Sequence, residues 1–176
     1  MRAVLDACVL YPPVLREILL GVADLYTPLW SERILEEWVR ATQKLGQMAE
    51  TRVEAALLAA QFPKSMLRAS PHIEARLVLP DANDLHVLAV AITGSADCIV
   101  TFNARDFPRH ILAAEGVERR DPDGFLWEMF SHHPDLVGAA IDAVHAKSEA
   151  MAGQPVSLRA LLKRAQCPRL AKAVTS

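Results

Sequence analysis

The chain has 176 residues, of which 52% are hydrophobic and 23% are charged. This length suits one domain with a short extension, and the composition supports a packed core while excluding an intrinsically disordered chain. The formal net charge is −2, so the chain lacks the overall basic character of many nucleic-acid-binding proteins. Any contact with nucleic acid must therefore come from local charge.

No stretch of the sequence is long and apolar enough to predict a membrane span. The apolar start is interrupted by Asp6 and then by Pro12-Pro13, so we expect neither a signal peptide nor a membrane contact. The cysteines show no metal-ligand spacing, and we expect free thiols in a cytoplasmic protein. The three cysteines are Cys8, Cys98 and Cys167.

The hydrophobic pattern predicts strands that alternate with helices over most of the chain. In chain order, the apolar runs that predict strands lie at residues 2–5, 25–29, 77–79 and 98–102. The helical patterns between and after them lie at 14–22, 32–45, 46–70 with a break at Pro63, 85–93 and 111–115. This order predicts an α/β fold with a central parallel sheet.

The pattern changes in the last third of the sequence. Beyond residue 122 only helices are predicted, at 124–131, 135–152 and 157–165. We therefore expect two parts, a core of residues 1–122 and a helical C-terminal extension of residues 123–176.

Three aspartates stand close to the ends of predicted strands. Asp6 ends the first strand, Asp84 opens the buried helix that follows the third, and Asp106 lies in the loop after the fourth. The carboxyl ends of parallel strands line one edge of a sheet, so we expect these acids to converge. Clustered carboxylates repel one another unless a cation compensates them, and hard oxygen ligands suit Mg²⁺ or Mn²⁺. Taken singly, each aspartate also fits a strand end, a helix start or a solvated loop.

A glutamate of the helix at 32–45 can complete this acidic group. On a helical wheel, Glu37 lies beside the apolar face near Ala41, and Glu36 lies on the other side, beyond Val39. The wheel favours Glu37 only slightly, and either residue also fits an ordinary solvated glutamate.

Four segments together resemble a PIN domain. They are Val4-Leu5-Asp6, the run Ser-Glu-Arg-Ile-Leu-Glu-Glu-Trp at 31–38, the run Pro-Asp-Ala-Asn-Asp-Leu-His-Val-Leu-Ala-Val-Ala at 80–91, and Ile-Val-Thr-Phe-Asn-Ala-Arg-Asp-Phe at 99–107. The resemblance covers roughly residues 1–120. It implies a three-layer α/β/α sandwich around a parallel sheet and a metal-dependent nuclease that cuts RNA. Many bacterial members resemble VapC toxins, so it also implies a homodimer and a VapB-like antitoxin as partner.

The resemblance assigns a role to each acid. It places metal ligation by Mg²⁺ or Mn²⁺ on Asp6, Glu37 and Asp84, with Glu36 as the alternative glutamate. Asp81 occupies a second acidic position found in one branch of the family, although a simple helix cap explains it equally well.

The chain departs from the family pattern at one acid. The family's fourth acid often lies two residues after the threonine, here Thr101, and this chain has Asn103 at that position. Asp106 lies three residues further on and can substitute for it or bind through water, which leaves the number of metal ions open. We expect one tightly held Mg²⁺ and a weaker or substrate-assisted second ion, and we expect Thr101 to hydrogen-bond a carboxylate or the attacking water.

Local positive charge suggests where RNA phosphates can bind. Residues 157–176 carry five basic side chains and no acid, and phosphate binding is chiefly electrostatic. A solvated helix or a contact with a partner explains this charge as well. His86, by contrast, is expected to be a core histidine with satisfied hydrogen bonds. The candidate RNA-binding residues are Arg105, Arg159, Lys163 and Arg164.

Two other functions fit part of the pattern. A PIN-like scaffold that binds RNA or a partner without cutting is consistent with Asn103, although such a scaffold has no reason to keep repelling charges together. A haloacid-dehalogenase-type phosphohydrolase also begins with a strand and an aspartate, but its chemistry needs a second acid two residues later. This chain has Cys8 there, which disfavours that activity.

Overall fold

The fold is built on a four-stranded parallel sheet. The computed structural model describes residues 1–175, and Ser176 lies outside the described residues. The strands are β1 (Arg2–Leu5), β2 (Thr27–Leu29), β3 (Cys98–Val100) and β4 (Glu118–Arg120), in the order β2-β1-β3-β4. Val4 of the central β1 pairs with Leu29 on one side and with Ile99 on the other. The parallel sheet and its helices confirm the predicted α/β/α class with C-terminal helices.

Helices make up most of the remaining described chain. The α-helices are α1 (Ala7–Leu10), α2 (Pro13–Gly21), α3 (Glu32–Ala41), α4 (Met48–Gln61), α5 (Pro71–Arg76), α6 (Leu85–Thr93), α7 (Arg109–Ala114), α8 (Pro122–His132), α9 (Pro134–Ala152), α10 (Leu158–Arg164) and α11 (Pro168–Val174). Two short 3₁₀ helices lie at Gln43–Leu45 and Ala82–Asp84. Within residues 1–175, no helix combines the length and the apolar character that crossing a bilayer requires.

The chain forms two compact units. The first consists of Met1–Tyr11 and Tyr26–Arg120 and contains the whole sheet. The second consists of Pro12–Leu25 and the segment from Asp121 onward. The division into residues 1–122 and 123–176 that the sequence suggests stays a prediction.

Burial explains why the central elements form where they do. Ala3, Val4 and Leu5 of β1 have no exposed surface, as expected for a strand that is covered on both faces. In α6 every residue from His86 to Ala91 is buried, which confirms the prediction of a helix that is apolar nearly all round. Helix α3 begins at the N-cap Ser31, whose hydroxyl accepts a hydrogen bond from Ile34 N.

One predicted strand is absent from the structure, and one strand lies where none was predicted. Residues 77–79 form no strand: Leu77 and Leu79 are buried, whereas Val78 is 76% exposed, so the alternation reflects side-chain burial in an irregular segment. The strand that the sequence did not predict is β4, whose sequence Glu-Arg-Arg carries no apolar signal. Among the strands of residues 1–175 it pairs only with β3 and therefore forms an edge of the sheet, where polar residues are tolerated.

The helix boundaries also differ from the prediction in places. The break at Pro63 is confirmed, but α4 ends at Gln61 and the residues from 63 to 70 are not helical. Helices α5 and α11 lie where no helix was predicted, and each is short and begins with a proline in its first turn. Six or seven residues are too few for a hydrophobic periodicity to stand out from the sequence.

Candidate metal centre

Three aspartates come together at the N-terminal end of α6. The carboxylates of Asp81, Asp84 and Asp106 each place an oxygen within 4.8 Å of the other two, and all three residues are partly exposed. Asp81 caps the 3₁₀ helix Ala82–Asp84 and accepts a hydrogen bond from Asn83 N at 2.9 Å. Asp84 ends that turn at the start of α6, and Asp106 lies in the loop after β3. We refer to Asp81, Asp84 and Asp106 as the acidic triad.

Asp6 is held by side chains that the sheet brings to it. Leu5 pairs with Val100 in neighbouring strands, so the residues that follow, Asp6 and Thr101, meet at the same edge. Thr101 Oγ1 donates to Asp6 Oδ2 at 2.6 Å, and Cys8 Sγ donates to the same oxygen at 3.2 Å. Asp6 and Thr101 are both buried, so the orientation of this carboxylate is well defined.

Asn103 connects Thr101 to the acidic triad. Its backbone N donates to Thr101 Oγ1 at 2.9 Å. Its side-chain Nδ2 donates to Asp84 Oδ2 at 3.3 Å, and its Oδ1 accepts from Asp106 N at 3.4 Å. One amide side chain thus links a carboxylate at the start of α6 to the loop that carries Asp106. Asn103 thus positions two of the acids.

The electrostatics show that five carboxylates share this region. The pKa of Asp84 is raised from 3.8 to about 6, first because burial disfavours its charged form and then because of the negative charges of Asp6, Asp81, Asp106 and Glu37. All the neighbouring charges that shift this pKa are acidic. The sequence-predicted acids therefore converge, as expected for residues at one edge of a parallel sheet.

The two candidate glutamates have different surroundings. Glu37 Oε1 lies 2.8 Å from His86 Nε2 and 3.6 Å from Arg33 Nε, and its charge reaches Asp84. Glu36 instead accepts two hydrogen bonds from Arg52 of α4, at 2.9 and 3.1 Å. This pairing lowers the pKa of Glu36 and directs its carboxylate toward α4 and away from the acids.

Residues 2–105 match the family described as PIN domain, which is more than half of the chain. The chain belongs to the PIN-domain family. PIN domains are generally nucleases, which supports a hydrolase activity for this chain. No curated protein and no solved structure gives a significant match.

The matched range contains most of the candidate site residues but not all of them. It includes Asp6, Glu37, Asp84 and Asn103 and ends one residue before Asp106. Asp106 therefore lies just outside the matched region. The loop that Asn103 positions brings it close to Asp81 and Asp84.

The donor set fits a hard divalent cation. PIN nucleases usually use such an ion, and the acidic triad offers carboxylate oxygens close enough together for one ion to reach. Among residues 1–175, no lysine or arginine forms an ion pair with Asp81, Asp84 or Asp106. The repulsion that raises the Asp84 pKa is thus offset by the Asn103 amide but by no basic side chain paired with the triad, which is the situation that a bound cation relieves.

Cys8 is a site residue that the sequence did not point to. Burial, followed by the charge of Asp6, raises the pKa of the Cys8 thiol to about 12. The thiol is therefore neutral and serves as a donor to Asp6 rather than as a nucleophile. Phe102 N also donates to Cys8 Sγ at 3.3 Å. The three cysteines are free thiols, as predicted, and Cys8 is the least buried of them.

His86 differs from the prediction. It is 2% exposed, as expected for a core histidine, but neither ring nitrogen forms a hydrogen bond. Nε2 lies 2.8 Å from Glu37 Oε1, yet the two groups are out of line for a hydrogen bond. The prediction that its hydrogen bonds are satisfied was wrong, because spacing along a helix gives burial but not the direction of the ring.

The candidate RNA-binding residues are all exposed. Arg105 lies in the loop beside Asp106, in the unit that contains the sheet. Arg159, Lys163 and Arg164 lie on α10 in the second unit. Their exposure fits phosphate contacts and fits a solvated helix surface equally well.

Proposed function

We propose that this PIN domain is a metal-dependent endoribonuclease, which hydrolyses phosphodiester bonds of RNA. The observation that carries the proposal is that the negative charges of Asp6, Asp81, Asp106 and Glu37 all act on Asp84, while no lysine or arginine among residues 1–175 forms an ion pair with the acidic triad. Holding carboxylates together in this way destabilises the fold unless the site has a ligand.

We assign metal ligation, by Mg²⁺ or Mn²⁺, to Asp6, Glu37 and Asp84. Asp84 is central because it belongs to the acidic triad and because the charges of Asp6 and Glu37 both act on it. Asp81 and Asp106 supply further oxygens beside Asp84, and Asp106 assists catalysis. When bound, such an ion offsets the charge of the scissile phosphate and lowers the pKa of the attacking water.

The chain's own residues provide the fixed geometry that this chemistry needs. Thr101 holds one oxygen of Asp6 through a short hydrogen bond and leaves the other oxygen for a ligand. Asn103 holds Asp84 and the loop of Asp106 together. In this proposal Arg105, which is exposed in the same loop, contacts a phosphate of the RNA strand. Reacting groups held in place in this way reduce the entropic part of the barrier.

The biological setting that we propose is a VapBC-type toxin–antitoxin pair in the cytoplasm. The PIN-domain match supports the family, and the toxin role comes from the resemblance of many bacterial PIN domains to VapC toxins. In this proposal the chain is a homodimeric toxin, a VapB-like antitoxin holds it inactive, and the basic face of α10 contacts RNA phosphates through Arg159, Lys163 and Arg164.

A catalytically inactive PIN-like scaffold is the second candidate. Asn103 favours it, because an amide at this position removes one negative ligand from the site. The five remaining carboxylates argue against it, since a scaffold that binds no cation gains stability from each acid that it loses.

Cleavage of a mixed cellular RNA pool by the purified protein tests the proposal. We expect cutting with Mg²⁺ or Mn²⁺ that is abolished both by EDTA and in an Asp6→Asn variant. Asp142→Asn is the matched control, because Asp142 is an exposed residue of α9 in the second unit. Absence of cutting with either ion, from folded protein that is free of any bound partner, would leave the scaffold as the better account.

A further inference from the structure

A cavity of about 360 Å³ lies in the same compact unit as the acidic triad. Its walls come from the first turn of α3, from residues 66–69, and from side chains of α5 and α6. This volume is within the range of small-ligand sites. Apolar side chains of Met66 and Leu67 line it together with the charged groups of Arg33 and Arg68.

His86 brings to this cavity a buried polar group whose close polar neighbour is the Glu37 carboxylate, 2.8 Å from Nε2. The ring lines the cavity, is 2% exposed and forms no hydrogen bond through either nitrogen. A buried polar group without a partner costs free energy, so native proteins rarely keep one without a reason. Because both ring nitrogens are also closed off from solvent, a ligand in the cavity can satisfy this ring only if the ring turns toward it.

The wall formed by residues 66–69 is anchored to the end of the sheet. Trp30, directly after β2, donates its backbone N–H to Ser65 O at 2.9 Å, and its carbonyl accepts from Leu67 N at 2.8 Å. Trp30 and Met66 thereby form a parallel β-bridge. The cavity is therefore held open by backbone hydrogen bonds on one side and by α3 on the other.

Arg33 connects the cavity to the metal centre. Its Nη2 donates to Asn83 O at 3.3 Å, and Asn83 stands between Asp81 and Asp84 in the chain. Its Nε lies 3.6 Å from Glu37 Oε1. A group bound in the cavity is thus separated from the proposed metal ligands by a single side chain.

We propose that this cavity binds an unpaired nucleobase of the RNA strand next to the bond that is cut. The inference rests on the ribonuclease activity proposed above. A nucleobase is flat and apolar on its faces and polar at its edge, which matches apolar walls that carry His86 and two guanidinium groups. A phosphate fits less well, because the carboxylates of Glu32 and Glu74 also line the cavity.

Arg68 is the residue through which the proposal can be tested. It is exposed, lines the cavity and forms no ion pair within residues 1–175, so replacing it breaks no structural contact that the fold relies on. Arg33 and His86 are unsuitable, since both touch Glu37. Arg109 is the matched control, as an exposed arginine of the same unit outside the cavity.

The first experiment titrates the full-length, metal-free protein with nucleosides and follows the imidazole NMR signals of His86. Nucleosides carry no phosphate, so binding to the acidic centre does not contribute. We expect at least one nucleoside to shift the His86 signals and ribose to leave them unchanged. Arg68→Ala should weaken this binding by roughly fivefold or more, as expected for a lost hydrogen bond from a charged donor, whereas Arg109→Ala should not.

The second experiment maps the ends of products cut from a randomised single-stranded RNA. We expect a base preference at one position beside the cut that Arg68→Ala flattens and Arg109→Ala retains. Equal shifts with ribose, unaltered nucleoside affinity in Arg68→Ala, or an unchanged base preference in that variant would overturn the proposal. Failure of the wild-type protein to cut RNA would refute the ribonuclease instead, because the nucleoside titration reports on the cavity without any cleavage.

Discussion

Replacing Asp84 by asparagine should stabilise the metal-free protein at neutral pH. The folded protein raises the pKa of Asp84 from 3.8 to about 6 through burial and four neighbouring acids, so ionising this residue disfavours the folded state. The asparagine side chain has the same shape, carries no charge and can still accept a hydrogen bond from Asn103. It removes the repulsion without leaving a cavity.

The size of the effect follows from the two pKa values. A rise from 3.8 to about 6 corresponds to about 3 kcal/mol at 1.36 kcal/mol for each pH unit. Because Asp84 is only partly buried, solvent screening reduces this to about 1 kcal/mol. For a chain of this length we expect a melting temperature about 2–4 °C higher in Asp84→Asn at pH 7.5 in EDTA.

The pH dependence gives the sign of the effect. Below pH 3.8 the carboxyl is protonated in the folded and unfolded states alike, so the charge contributes nothing to the difference between wild type and variant. The wild-type protein loses stability relative to the variant as the pH rises from 3.8 through about 6, and the difference is complete above that range. Thermal unfolding at pH 4 and pH 7.5, with Asp142→Asn as control, measures it.

Metal should reverse the order of stability. An ion at one hundred times its dissociation constant stabilises the wild-type fold by about 2.7 kcal/mol, and Asp84→Asn should lose most of this gain together with cleavage. A wild-type protein that is the more stable of the two in EDTA at pH 7.5 would refute the repulsion argument. A difference that persists unchanged at pH 4 would refute it as well, because charge could not then be its cause.

Two further substitutions test the hydrogen-bond network. Thr101→Val should lower the cleavage rate by roughly 10- to 100-fold with the fold retained, because Asp6 loses its hydroxyl donor; Thr101→Ser should restore most of the rate, and equal rates in both variants would contradict this role. Asn103→Asp adds an acid next to Asp84; it should lower the melting temperature in EDTA and tighten Mg²⁺ binding in calorimetry, and an unchanged melting temperature would contradict it.

The sequence predicted that Asp6 would meet the residues after β3 because the strand topology alone produces this contact. Asp6 follows an apolar run that had to be a buried strand, and Thr101 follows another. Once β1 and β3 pair in parallel, both residues must meet at the carboxyl edge, whatever the loops do. Asp84 was assigned correctly to the start of a buried helix, although the strand predicted before it does not exist.

The rest of the site depends on loop geometry, which periodicity does not report. The Asn103 side chain bridges Asp84 and Asp106 only because the chain turns back after β3. From the sequence alone, Asn103 could be interpreted only as the absence of an acid at this position. The missing hydrogen bonds of His86 were equally hidden, because its burial follows from the pattern of α6 while its surroundings depend on Glu37 and on the distant residues 66–69.

Asn103 has two effects on the site that bear on the choice between an enzyme and a scaffold. As an amide it donates to Asp84 and so relieves part of the repulsion that an acid at this position would increase. It also removes one anionic ligand, which favours a single tightly held ion. A chain that had lost the need for metal would gain further stability by replacing Asp84 itself, as the stability prediction above requires. Asp84 is nevertheless present beside four other acids, and the amide of Asn103 holds it in place by a hydrogen bond. A site built around one cation needs this arrangement.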